Sequence, residues 1–277
     1  MITRVSAETE TSYCDAHVHV RDAIGLERAR AAGVTAIRDA GLGENAMRGH
    51  GFPSGPYATI DVVSARWAIF KKGGYGSVFG VPVENCQEIS NEVRTLVRAG
   101  AGVVKVMASG IVSLREPGKI TAGGFSAEEL TCVVQESSRA GLPVMAHANG
   151  ESAIIAVARA GVRSVEHGFF MTRRALEVIA KKKIFWTPTV GALVRASETV
   201  SAEAKAYIRN LVVAHLKMIR YAHEMGVPLA IGTDCILPDD SYERAYRSEL
   251  SFFEEAGLSR SLVRKIATEG GRTLLGL

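Results

Sequence analysis

The feature that most constrains this chain is a repeated alternation. Short β-branched or apolar runs give way to longer helical patterns, and the patterns often close on Ala-Gly. Eight strand candidates recur, at Tyr13–Val20, Thr35–Asp39, Tyr57–Ser64, Gly102–Met107, Pro143–His147, Ser164–His167, Ile184–Thr189 and Pro228–Thr233. Helical stretches lie between them, at Ile24–Ala32, Cys86–Ala99, Ser126–Ala140, Gly150–Ala160, Thr172–Lys182, Ala202–Met225 and Ser241–Ala256. Gly33, Gly100, Gly141, Gly161, Gly226 and Gly257 stand where a left-handed helix stop is expected. Eight βα units with such short returns predict a TIM (β/α)8 barrel. A doubly wound open sheet would need a phosphate-binding turn after the first strand, and His17-Val18-His19 stands there instead.

Length agrees with one barrel: 277 residues fit a single domain spanning 1–277. Hydrophobic residues make up 47% and charged residues 22%, which excludes wholesale disorder. The net charge of +4 is dispersed, so no nucleic-acid footprint is expected. The one dense basic run, Lys181-Lys182-Lys183, reads as a helix C-terminus whose dipole favours cations. Cys14, Cys86, Cys132 and Cys235 are scattered without a CxxC, which excludes a disulfide scaffold and a thiolate zinc cluster. No apolar leader core and no membrane-length apolar stretch is visible, so a soluble, cytoplasmic protein with no membrane partner is expected. The glycine-rich segment Lys71–Gly80 follows the third strand and reads as a loop over the barrel mouth rather than a dinucleotide fingerprint.

Four of the seven histidines stand at the ends of predicted strands. His17 and His19 are two apart, so both point to one face, and a His-x-His in a barrel strand is a ready chelate. His147 ends the fifth strand, His167 the sixth, and Asp234 follows the eighth. All five fall at the face where TIM-barrel active sites assemble. His50, His215 and His223 are expected to serve structure or solvent. Lys105 is the sharpest single residue, because Gly-Val-Val-Lys-Val-Met-Ala is otherwise an apolar strand. A bare ammonium there carries a heavy desolvation cost. The amine can be carboxylated by carbon dioxide, form a Schiff base, or reach the rim to pair with a carboxylate. Spacing supports one site, since His17 and Lys105 lie 88 residues apart, which suits three βα units.

Together these residues resemble the amidohydrolase superfamily: Asp-Ala-His-Val-His, then Lys, His, His and Asp on strands one, four, five, six and eight. The runs Val-Lys-Val-Met-Ala-Ser-Gly, Phe-Ser-Ala-Glu-Glu-Leu, Ala-His-Ala-Asn-Gly, Val-Glu-His-Gly, Gly-Thr-Asp and Thr-Leu-Leu-Gly-Leu are similar to the imidazolonepropionase-like and Xaa-Pro dipeptidase-like branch. The resemblance covers Ser12 to Leu277. It implies that His17, His19 and Asp234 hold one divalent metal ion and that His147 and His167 hold the other. Lys105, carboxylated by CO2, and a hydroxide would bridge the two. Asp234 would act as general base and then general acid. The donor set suits zinc, with Mn, Fe or Co as alternatives. Family members also carry a β-sandwich outside the barrel. Only some dozen residues precede the first strand here, so a barrel lacking most or all of that sandwich is expected.

The function expected is hydrolysis of an amide or related C–N bond in a dipeptide, an N-acyl amino acid or a cyclic amide. A class I aldolase using Lys105 as Schiff base, and a non-catalytic metal-binding barrel, are the competing readings. Arg115, Tyr75 and Trp67 are candidate substrate contacts from the loops after strands three and four. The partner expected is a small molecule, with self-association of the barrel possible.

Overall fold

The computed structural model describes residues 12–43, 60–114 and 116–277. His50 and Arg115 lie outside the described residues, as does the start of the third predicted strand. Parallel strands form the inner layer and helices cover their outer faces. The strands make two sheets, β10-β1-β2-β3 and β5-β4-β6-β7-β8-β9. The first holds β1 (Tyr13–Val20), β2 (Val34–Asp39), β3 (Asp61–Ser64) and β10 (Cys235–Leu237). The second holds β4 (Ala68–Lys71), β5 (Gly80–Val83), β6 (Val104–Met107), β7 (Val144–Ala148), β8 (Ser164–His167) and β9 (Phe185–Thr187). The result is TIM-barrel-like, but its ladder is interrupted at two seams instead of closing continuously.

Each seam has a local cause. The third predicted strand runs on past Ser64, but Arg66 adopts a positive φ of 65° and redirects it as β4 into the second sheet. Gly102 N donates to Ser64 O across that seam at 2.9 Å. The eighth predicted strand, Pro228–Thr233, is not a laddered strand. It makes a single bridge, Leu229 to Trp186, and regular pairing with β1 resumes only at Cys235. Individual hydrogen bonds carry the chain between the sheets: Ala230 N to Trp186 O at 3.1 Å, Ala16 N to Ile231 O at 2.8 Å and Asp234 N to His17 O at 2.7 Å. Part of the expected glycine-rich loop is also regular, since β4 and β5 pair in parallel across it.

The helices follow their caps. Asn85 and Ser126 accept from the backbone three residues on, opening Cys86–Arg98 and Ala127–Arg139, the latter with a full capping box through Glu129. The six expected glycine stops all have positive φ. Two helical regions lacked a clear signal in the sequence: Val190–Ala196, and the C-terminal run from Arg260 to Leu275 with a π turn at Ile266–Gly270.

Strand parity positions the site. Val18, Val104, Val106, Ala146 and Val165 pack outward against Leu26, Ile89, Leu130, Ile154 and Leu176 of the helices. Their neighbours in the alternation, His17, His19, Lys105 and His147, therefore point inward. Among the described residues no helix is long and apolar enough to cross a membrane.

Candidate metal centre

His17, His19, Lys105, His147, His167 and Asp234 line one cavity of about 100 Å³. Each histidine is at most 5% exposed, and Lys105 is 1% exposed. Ligand atoms of His17, His19 and Asp234 lie within 4.8 Å of one another. His17 Nε2 is 3.3 Å and His19 Nε2 3.4 Å from Asp234 Oδ1, while Lys105 Nζ is 3.4 Å from His17 Nε2. His167 Nδ1 is 3.8 Å from Asp234 Oδ2, and its ring centroid is 4.6 Å from that of His147.

The hydrogen bonds behind the rings decide what the front can do. His17 Nδ1–H donates to Glu166 Oε2 at 2.9 Å, and His19 Nδ1–H donates to the carbonyl of Gly41. A carbonyl and an ionised carboxylate can only accept, so in the neutral rings both Nε2 atoms are bare lone pairs. Two lone pairs and a carboxylate oxygen thus converge, with the Lys105 amine at the edge of the group, 3.4 Å from His17 Nε2. Such a donor set fits a divalent cation, and outer partners of this kind orient ligand histidines. His147 Nε2 and Asn149 Nδ2 lie 3.1 and 3.2 Å from Gly110 O and 3.1 Å from each other; with Nε2–H donating to that carbonyl, His147 Nδ1 carries the lone pair. Nδ1 of His167 meets Thr189 Oγ1 at 2.8 Å.

These anchors are built into the strands. Glu166 is fully buried. Burial pushes its carboxyl up, but Arg38 and His17 outweigh that and hold it down at about 2. The Arg38 guanidinium spans Glu166 Oε1 at 2.8 Å, Ser164 Oγ at 2.7 Å and Ala16 O at 2.7 Å. Asp15 accepts from His17 N, Thr233 N, Thr233 Oγ1 and Tyr242 Oη, which pins β1 to the segment bearing Asp234. Gly232 permits that approach, since a Cβ there would stand 2.8 Å from His17 Cβ and 2.4 Å from Thr187 Cγ2. Gly41, at φ 82°, would collide with Arg66 O if it bore a side chain. The backbones of His167, Thr189 and Asp234 all have positive φ, at 64°, 50° and 54°. Strain of this kind collects at functional sites.

Tyr75 and Phe79, from the loop between β4 and β5, line the cavity with Met107, Ile111, Val112 and Phe169. Trp67 does not reach it; its indole N–H donates to Glu92 on the outer helix Cys86–Arg98. Asp15, Asn149 and Glu166 fall inside the quoted sequence runs but carry no assigned role there, and Arg38 and Thr189 fall outside those runs. Arg38 alone had a signal of the kind that exposed Lys105, a cation inside an apolar strand.

Burial sets the protonation states. It pushes Lys105 down to about 8, His17 to about 4, His147 to about 3 and His215, which packs behind the site against the His167 backbone, to about 4. For a histidine depressed from 6.5, stability is fully present above that value and is lost as pH falls through about 4. Asp15, pushed up by burial from 3.8 to about 6, and Glu249, from 4.5 to about 7, act in the opposite sense across those windows. The clean measurement is therefore a difference of slopes. Denaturant unfolding of metal-free His215→Asn should show a pH dependence between pH 6.5 and 4 that is shallower than wild type by up to ~1.4 kcal/mol per pH unit. Equal slopes would mean that His215 is charged in the folded state.

The amidohydrolase family model matches residues 12–277, a span that includes every described residue. The chain belongs to the amidohydrolase family. Ochratoxinase of Aspergillus niger is 30% identical over 244 residues, which cover 77% of this amidohydrolase but 50% of the relative. The chain thus spans about half the length of that curated relative. Among solved structures, A. niger ochratoxinase superposes with a TM-score of 0.77 at 24% identity, covering 96% of this chain and 71% of that one. A Xaa-Pro dipeptidase with bound methionine in its active site gives 0.75 at 21% identity, covering 96% and 75%. At these identities the superpositions establish the fold.

Proposed function

We propose that this amidohydrolase cleaves an amide bond in a dipeptide, an N-acyl amino acid or a cyclic amide, using two divalent metal ions, with zinc the best match to its donors. The observation that carries this is the convergence of the unprotonated nitrogens of His17 and His19 on Asp234, beside a buried Lys105 whose amine meets an imidazole nitrogen and, among the described residues, no carboxylate within ion-pair distance. His17, His19 and Asp234 would hold one ion, His147 and His167 the other, and Lys105 would bridge them as its carboxylate. Once bound, the ions supply Lewis acidity that polarises the scissile carbonyl and acidifies water.

The chain's own groups do the rest. The neutral fraction of the Lys105 amine adds to CO2 and loses a proton, which replaces an ammonium that burial disfavours with an anion among four histidines. Asp234, held well below the usual carboxylate range by His17, His19 and His167 against the effect of burial, is ionised, so it has a free oxygen for a proton. It takes that proton from the attacking water and returns it to the leaving nitrogen. Glu166 and the Gly41 carbonyl hold the ring protons on Nδ1, which keeps Nε2 of His17 and His19 unprotonated throughout. Tyr75, Phe79, Met107 and Phe169 exclude bulk water and favour an apolar group beside the scissile bond.

The test is elemental analysis of protein prepared without nickel and with bicarbonate present, followed by a screen of dipeptides and cyclic amides. The reading expects about two divalent ions per chain and chelator-sensitive turnover. No metal, no uptake on reconstitution, and borohydride trapping of a carbonyl compound on Lys105 would instead establish the Schiff-base chemistry. Two ions with no turnover across amides and esters would indicate a binding barrel.

A further inference from the structure

Glu249 is a fully buried carboxylate that lies outside the cavity. It sits on the helix Tyr242–Glu255, whose inner face turns polar groups toward the strands. Tyr242 donates to Asp15, Tyr246 to Cys14 O, and Glu249 continues the row at helical spacing. Both Glu249 oxygens accept backbone N–H groups, from Val190 and Gly191, at 2.8 Å each. From the other side His215 Nε2–H donates to Pro188 O at 3.1 Å. The turn 188–191 is therefore gripped at three of its four residues, and the fourth is Thr189.

Thr189 is β-branched and has φ 50°, a conformation such residues adopt only where their surroundings impose it. Its Oγ1 is the partner of His167 Nδ1. The helix that begins at Val190 carries Arg195, whose guanidinium donates to Thr233 O at 2.6 Å and Asp234 O at 3.1 Å. Gly191 leaves room for the carboxylate, since a Cβ there would stand 3.1 Å from Glu249 Oε2. One buried group thus grips the origin of two arms, one ending on His167 and the other on Asp234.

We propose that Glu249 is a positioning residue that sets the His167 ring through Thr189 and the Asp234 carboxylate through Arg195. The proposal rests on the metal reading above. Glu249→Gln keeps size but replaces one acceptor by a donor, so one of the two backbone N–H groups loses its partner. Expected are a loss of zinc affinity of about 10-fold or more in competition with a chromophoric chelator, and a shifted visible spectrum of the cobalt-loaded protein. A residue that only stabilised the fold would lower the melting temperature and leave both readouts unchanged in folded protein. Combined with Thr189→Val, the affinity losses should be less than additive, because both act on one ring.

Gly191→Ala presses on the Glu249 carboxylate and on Arg195 Nη1, at 3.1 and 3.0 Å from the added Cβ, so it disturbs both arms and serves if Glu249→Gln does not fold; it should weaken zinc in the same direction. The His167 Nδ1 resonance of metal-free protein, read by nitrogen-15 NMR, should also move in either variant. This last readout needs no metal, so it separates failure of the positioning role from failure of the metal reading. Wild-type zinc affinity, cobalt spectrum and His167 resonance in folded Glu249→Gln or Gly191→Ala would overturn the proposal.

Discussion

Lys105→Met is expected to lose more than about 100-fold in kcat/KM on the best amide substrate, together with part of the bound metal, while folding at least as well as wild type. The two halves have one origin. Lys105 is almost fully buried, its polar neighbour is an imidazole nitrogen rather than a carboxylate, and burial brings its pKa down to about 8. As a plain amine it is a liability to the fold, so an apolar chain of similar length removes a cost. As a carboxylate it would be a direct metal ligand, and losing one should exceed the ~10–100-fold typical of an outer-shell change. Steady-state kinetics, elemental analysis and denaturant unfolding of the same preparation check all three. A variant with wild-type turnover and metal content would remove Lys105 from the site.

The second large effect is on stability. Arg38→Met should cost ~3–5 kcal/mol in denaturant unfolding, because it strands the Glu166 carboxylate at zero exposure. Arg38 also satisfies Ala16 O and Ser164 Oγ, so no single neighbour can replace it. The paired change Arg38→Met with Glu166→Gln should recover part of the loss, since a neutral amide is far cheaper to bury than an unpaired anion. If the double variant is as unstable as Arg38→Met alone, the charge of Glu166 is not the reason for the cost.

How much of this was legible depends on the range of the signal. The ends of β1 and of the helices were readable because alternation, caps and glycine stops are local. The same parity that turned His17, His19, Lys105 and His147 inward could be read strand by strand, and the structure brings those four together with His167 and Asp234. What could not be read was long-range or irregular. Glu166 serves His17 from 149 residues away, and Thr189 serves His167 from an irregular turn. The eighth strand failed as a pattern because Gly232 and the positive φ of Asp234 break an apolar run that is otherwise strand-like. Trp67 was misplaced because a loop aromatic can face the mouth or the outer helices, and only the Glu92 carboxylate across from it decides.

The two seams have a consequence for how this protein holds its shape. His17, His19 and Asp234 ride on one sheet or the segment leading into it, while Lys105, His147 and His167 ride on the other. Anything that engages both triads at once is a clasp across joints where the continuous ladder gives way to single hydrogen bonds. A ligand held by both triads would add its own bonds to the few hydrogen bonds that cross the seams, so the cavity would serve at once as the reactive part of the molecule and as a fastening.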